Sequence, residues 1–325
     1  MPDAAARPNR VAPLPTGLVY HPDYVKHWVP RWHPEQPARV AAIIDHLQGT
    51  DLYPKLSLIT PTPADPEWIA AVHSLRYITA VEDLCEHGGG LLDEGDTPVC
   101  AASYDVALLS AGGALAACDA VMAGQVRNAF AVIRPPGHHA RPDGSMGFCI
   151  FNNIAIAARY LQRKHGLARI LIVDWDVHHG NGTQEAFYED PTVLVLGIHR
   201  FPFYPGTGAP DECGRRAGRG YTINLPVPAG TNGPAFVSVL HHSLGLTVEY
   251  FQPDFILVSS GFDAHRNDPL GGLLLDDADY GELARIVKRT AEKECGGRLV
   301  ALLEGGYDLG ALARGVTEVL RVFTE

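Results

Sequence analysis

The chain has 325 residues, 46% hydrophobic and 19% charged, the make-up of an ordinary globular protein with ample material for a core. A formal charge of -11 argues against a protein that holds nucleic acid phosphates, and no apolar run approaches the length of a membrane span. The cysteines (Cys85, Cys100, Cys118, Cys149, Cys213, Cys295) include no Cys-x-x-Cys pair and read as reduced thiols of a soluble, cytoplasmic protein.

Residues 1–15 are rich in Ala, Pro and Arg, hold no apolar signal-peptide core, and are expected to be disordered or loosely attached. From there on no low-complexity linker and no repeat interrupts the chain, so residues 16–325 are expected to form one domain. A β-branched run predicts a strand over 17–20, followed by amphipathic stretches that predict helices over 37–47, 75–85 and 101–123. Next come a strand over 128–133, a helix over 153–165, and strands over 169–173 and 193–198. A helix over 234–251, a strand over 254–259, a helix over 279–294, a strand over 298–303 and a helix over 309–323 complete the pattern. Strands that are apolar throughout and alternate with helices indicate an α/β fold with a parallel sheet buried on both faces.

The loops at the strand ends are more telling than the strands themselves. RPPGHH comes after residue 133, DWDVHHGNG after 173, GFDAHRNDP after 260, and EGGYD after 303. Ligands of open α/β sheets bind beyond the carboxyl ends of the strands, so these glycine-containing loops are expected to converge on one site.

Asp176 and His178 are two apart in an extended segment and leave on the same face. With Asp263 from another strand end they make a three-ligand set that keeps positions open for water and substrate, the catalytic rather than the structural zinc arrangement. His138 and His139 come after a stiff Pro-Pro-Gly approach. Asp174 and Asn181 are suited to orient one ring each, the ring on Asp174 being the more basic. Two imidazoles of unequal basicity suit general acid and general base. His241–His242, inside a predicted helix, reads as structural. Tyr307, after paired glycines, offers a phenol donor for an oxyanion.

Taken together, RPPGHH, GFCIFNN, DWDVHHGNGT, the GTG after Phe203-Tyr204-Pro205, GFDAHRNDPLGG, EGGYD and the upstream HPEQPARV resemble the zinc-dependent histone deacetylase family from about Thr16 to Phe323. Asn181, the Asp263-Ala264-His265 run and Glu304 look like its class II branch, with bacterial deacetylase-like amidohydrolases and acetylpolyamine amidohydrolases. The resemblance implies the arginase–deacetylase fold, a single domain around an eight-stranded parallel sheet flanked by helices. It implies Asp176, His178 and Asp263 as zinc ligands, His138 and His139 as the acid/base pair, and Tyr307 as the oxyanion donor. Gly147, Phe148 and Tyr204 would line an acyl-lysine tunnel with Leu270 at its rim, and Asp96 lies near the family's substrate-backbone-binding acid. A potassium site is implied from the main-chain carbonyls of Phe187, Asp190, Val193 and Tyr221. The expected activity is hydrolysis of N-acyl-lysine, with acetylpolyamine hydrolysis as the alternative. The expected partners are those substrates, no nucleic acid and no membrane, with homo-oligomerisation left open.

The chain also departs from the family. Gly197 stands where a hydroxyl side chain completes a second cation site, and Tyr204 where phenylalanine is usual. Cys149 has no thiolate-forming partner in sequence and reads as a small buried residue. A two-manganese ureohydrolase of the same fold would need carboxylates at Gly180 and His265, and a silent acyl-lysine binder would not need the full catalytic set.

Overall fold

The computed structural model describes residues 14–93 and 95–325, so most of the segment 1–15 lies outside the described residues. The strands are β1 (Thr16–Val19), β2 (Leu56–Ile59), β3 (Gly89–Leu91), β4 (Pro98–Cys100), β5 (Asn128–Ala131), β6 (Ile170–Asp174), β7 (Val193–Arg200), β8 (Thr222–Val227), β9 (Phe255–Ser260) and β10 (Leu299–Leu303). The helices are α1 (Ala38–Gln48), α2 (Pro66–Ile69), α3 (Leu75–Glu86), α4 (Ser103–Met122), α5 (Asn153–His165), α6 (Asn181–Phe187), α7 (Gly233–Phe251), α8 (Asp277–Glu294) and α9 (Leu309–Thr324).

Among these residues eight strands form one parallel sheet in the order β2-β1-β5-β10-β9-β6-β7-β8, and β3 and β4 form a separate antiparallel hairpin. β6, β9 and β10 are buried at every position, as their unbroken Val, Ile and Leu runs require between two helical layers. The strands whose loops carry the candidate residues, β5, β10, β9 and β6, are adjacent in the middle of this sheet. Their carboxyl ends therefore open side by side, and residues far apart in sequence meet there. The sequence pattern did not disclose the short β3 and β4, and within the eight-stranded sheet the strands it missed, β2 and β8, are the two edges. Both are only partly buried, and β8 contains Pro226, which an edge tolerates and an interior position does not.

The expectation that no segment reaches the length of a membrane span is corrected by α4. It is long and apolar enough to cross a membrane, with a mean hydropathy of 1.5 over an 18-residue window. That window is 78% buried inside the domain, where α4 packs on α5 and β5. Its packing is that of a core helix: Gly112 and Gly113 sit so close to Thr62 and Tyr24 that a Cβ would collide.

Beneath the β10 loop, Glu35 is fully buried between two equally buried arginines, Arg134 Nε at 2.8 Å and Arg39 Nη1 at 3.1 Å. Burial alone would raise its pKa. The two guanidiniums outweigh it and hold the carboxyl at about 2, against 4.5 when unfolded. Its contribution to stability is thus whole above the unfolded value and is lost as pH falls from there toward 2. Glu35→Ala strands two buried cations and is expected to cost about 3–5 kcal/mol in urea unfolding at neutral pH. A cost under about 1 kcal/mol would show that the cluster is not structural.

Candidate active site

The β6 loop supplies the first donors. Asp176 Oδ1 and Asp263 Oδ2 both lie 3.1 Å from His178 Nδ1, and the three ligand atoms lie within 4.8 Å of one another at a buried spot. The outer faces of the carboxylates are held by backbone: Gly305 N–H donates to Asp176 Oδ2 and Val177 N–H to Asp263 Oδ1, both at 2.9 Å. A Cβ at position 305 would lie 2.2 Å from Asp263 Oδ2 and 2.6 Å from Asp176 Oδ2, so only glycine lets the β10 loop approach this close. Donor atoms about 3 Å apart match the edges of a coordination shell with bonds of roughly 2.0 Å. The electrostatics agree. Burial would neutralise all three groups, yet Asp176 and Asp263 raise the His178 imidazole to about 10, while burial and Asp176 push Asp263 up to about 7. The carboxylates thus draw positive charge onto His178, and the donor set fits a divalent cation in its place.

The histidine pair stands beside this triad with its rings 4.0 Å apart. His138 Nδ1 is 3.0 Å from Asp174 Oδ2, and His139 Nδ1 is 2.7 Å from Asn181 Oδ1. Burial lowers the pKa of both rings, but for His138 it is overcome by Asp176 and Asp174, which raise it to about 10. His139 has only a neutral amide, and burial with the neighbouring His138 and His178 holds it well below the ordinary value. The two rings are thus unequal, His138 being the more basic through Asp176 as well as Asp174.

A pocket of about 230 Å3 leads to these groups, lined by His139, His178, Gly147, Phe148, Tyr204 and Tyr307. Asp96 and Leu270 line it too, so His139, Tyr307 and the tunnel candidates meet in one place. Phe203, which the sequence pattern did not single out, also lines it and stacks on His178 at 5.2 Å. A larger groove of about 840 Å3 lies behind Asn181 and Met146, lined by ion-paired residues such as Arg141 and Glu185, and its lining includes neither the triad nor the histidine pair.

Three supporting roles were also hidden in the sequence. Glu304 Oε2 accepts the backbone N–H groups of Gly137 (2.7 Å) and His138 (3.1 Å), tying the histidine loop to β10. Asp268 Oδ2 accepts Tyr307 N–H at 2.7 Å, and its Oδ1 accepts Leu270 N–H at 2.8 Å. Arg39 donates through Nε to Gly306 O at 2.7 Å and lies 5.2 Å over the Tyr307 ring. Glu304, Asp268 and Arg39 all stand in EGGYD, GFDAHRNDPLGG and HPEQPARV, and membership of those motifs was their only signal.

The remaining candidates fall elsewhere. Cys149 is buried, which pushes its thiol well above the usual range, so it is no nucleophile. His241 and His242 are exposed on α7. The carbonyls of Phe187 and Tyr221 accept Asp190 N–H (3.0 Å) and Val195 N–H (2.9 Å), leaving each one further lone pair. The ureohydrolase arrangement does not fit. A Cβ at position 180 would lie 2.3 Å from Asp174 Oδ2, and His265 Nε2 is paired with Asp277 at 3.2 Å.

Comparison with known proteins gives the same picture. The histone deacetylase domain model matches residues 33–323. A probable deacetylase of Archaeoglobus fulgidus is 44% identical over 300 residues, covering 91% of this chain and 83% of that protein. A histone deacetylase-like amidohydrolase of Pseudomonas aeruginosa is 40% identical over 278 residues, covering 85% and 72%. The crystal structure of the HDA15 HD domain superposes with a TM-score of 0.91 at 35% identity, over 96% of this chain and 88% of that one. With the triad, the histidine pair and every strand of the sheet except β1 inside the matched region, the chain belongs to the histone deacetylase family, in the part that includes the bacterial deacetylase-like amidohydrolases, and its class of activity is amide hydrolysis by deacetylation.

Proposed function

We propose that the chain is a zinc-dependent hydrolase of N-acyl-lysine that releases a carboxylate and a free amine. The observation that supports this most is the pocket of about 230 Å3, lined by His139, by His178 of the carboxylate–imidazole triad and by the rings of Phe148, Phe203, Tyr204 and Tyr307. A pocket of that size with aromatic lining suits an unbranched, uncharged chain ending in an amide. Asp176, His178 and Asp263 would hold the metal, and zinc when bound supplies Lewis acidity to the acyl carbonyl and acidifies water.

The protein's own groups carry the proton. His139 is neutral, and the Asn181 carbonyl oxygen fixes its proton on Nδ1, so Nε2 has a free lone pair to take the proton of the attacking water. The same nitrogen later delivers that proton to the leaving amine. His138, made basic by Asp176 and by its partner Asp174, and the Tyr307 phenol stabilise the negative charge that develops on the carbonyl oxygen. Asp96 at the mouth accepts from main-chain N–H groups of a peptide substrate. A potassium ion on the Phe187, Asp190, Val193 and Tyr221 carbonyls would be structural, and Gly197 argues against a second one beside Asp174.

Metal analysis together with turnover of a fluorogenic acetyl-lysine peptide tests this reading: stoichiometric divalent metal and turnover are expected. Metal without turnover of any acylated amine would leave a binding module. Leu270, 36% exposed at the rim, gives no reward to the distant ammonium of an acetylpolyamine. Leu270→Glu places a carboxylate there and is expected to shift kcat/KM toward acetylspermidine by roughly five- to a hundredfold. A wild-type kcat/KM for acetylspermidine about tenfold above that for the peptide would instead assign polyamine hydrolysis.

A further inference from the structure

Tyr204 carries a hydroxyl where the family resemblance leads one to expect phenylalanine, and the hydroxyl has a partner. Its ring stands edge-on to His139 (5.4 Å between centroids) and His178 (5.9 Å), at the foot of the pocket. Its Oη lies 3.2 Å from Asp96 Oδ2, at the mouth. A phenol keeps its proton at neutral pH, so the Tyr204 hydroxyl donates and the Asp96 carboxylate accepts.

Asp96 is held from its other side as well. Thr97 Oγ1 donates to Asp96 Oδ1 at 3.1 Å and accepts the Phe148 N–H at 3.1 Å. Asp93 Oδ1 accepts the N–H groups of Gly95, Asp96 and Thr97 at 3.0–3.1 Å, which fixes the turn between β3 and β4. Polar contacts thus run around the mouth from Tyr204 on one wall, through Asp96 and Thr97, to Phe148 on the other. A carboxylate has about four lone-pair sites, so with one donor on each oxygen it keeps sites for a ligand while the two donors restrict its rotation.

We propose that Tyr204 is a positioning residue for Asp96: its hydroxyl clasps the tunnel mouth and aims the carboxylate at main-chain N–H groups, favouring peptidyl acyl-lysine over small acylated amines that carry none. This rests on the reading of Asp96 as the acid that recognises the peptide backbone. The same geometry would give Tyr204 no preference between substrates if it served only as a wall.

The test is steady-state kinetics of Tyr204→Phe, Asp96→Asn and the double variant on an acetyl-lysine peptide and on a monoacetylated diamine. Tyr204→Phe is expected to raise KM for the peptide about three- to tenfold, the size of one ordinary lost hydrogen bond, because Thr97 still holds the carboxylate from its other side, and to affect the diamine less. The double variant is expected to be no worse on the peptide than Asp96→Asn alone, because the clasp acts only through that carboxylate. If Asp96→Asn weakens the peptide but Tyr204→Phe weakens both substrates equally, or its effect multiplies fully with that of Asp96→Asn, the clasp is overturned and the Asp96 reading stands. If Asp96→Asn leaves the peptide KM unchanged, the reading of Asp96 falls and the clasp with it.

Discussion

His178→Ala is expected to remove stoichiometric metal and deacetylase activity together, with Asp176→Ala and Asp263→Ala behaving alike. The three donor atoms converge within 4.8 Å, and their outer oxygens are already committed to Gly305 and Val177 backbone N–H groups. The second oxygen of either remaining carboxylate is thereby not free to replace a lost ligand. The readout is metal content by mass spectrometry beside kcat on the fluorogenic peptide, and both are expected near background. Full activity in chelator-treated, metal-stripped protein would sink the metal reading. Reconstitution with iron or cobalt that restores turnover would not, since mixed oxygen and nitrogen donors select weakly among divalent ions.

The parts of this site that were legible in the sequence share a physical cause. A strand buried on both faces has no room for polar residues, so the runs of β6, β9 and β10 stand out, and the titratable residues at their ends stand out against them. Asp174, Asp176, His178 and Asp263 sit at those ends and act through short, local geometry. The edges were harder: β2 and β8 face solvent on one side, and their weak alternation hides them. Short elements such as α6, which begins at Asn181 and contains Gly182, carry too few periodic positions to register. Residues that act across long separations were invisible as roles. Glu304 reaches Gly137 over 167 residues and Tyr204 reaches Asp96 over 108, and nothing near either residue announces its partner. The fold brings those partners together only because β5 and β10 are neighbours and the β3–β4 hairpin folds over the carboxyl end of the sheet.

Tyr307→Phe is expected to lower kcat about a hundred- to a thousandfold while leaving metal content nearly unchanged, the effect of losing one preorganised oxyanion donor. The ring is fixed independently of its hydroxyl. Its backbone N–H is held by Asp268 at 2.7 Å, Phe148 packs edge-on at 5.8 Å, and the Arg39 guanidinium lies over its face. Removing the oxygen therefore takes away a donor without releasing the loop. The phenol can only donate: burial, reinforced by Asp263, keeps its pKa well above the ordinary value, and the cationic Arg39 does not reverse this. The loss should fall on kcat rather than KM, because a ground-state carbonyl needs the donor less than the oxyanion does. Metal analysis separates this role from damage to the triad, since Gly305, two residues earlier, holds Asp176 through its backbone. A Tyr307→Phe variant that keeps more than roughly a third of wild-type kcat falls far short of the loss expected for an oxyanion donor, and the charge on the carbonyl oxygen would then rest on His138 and the metal alone.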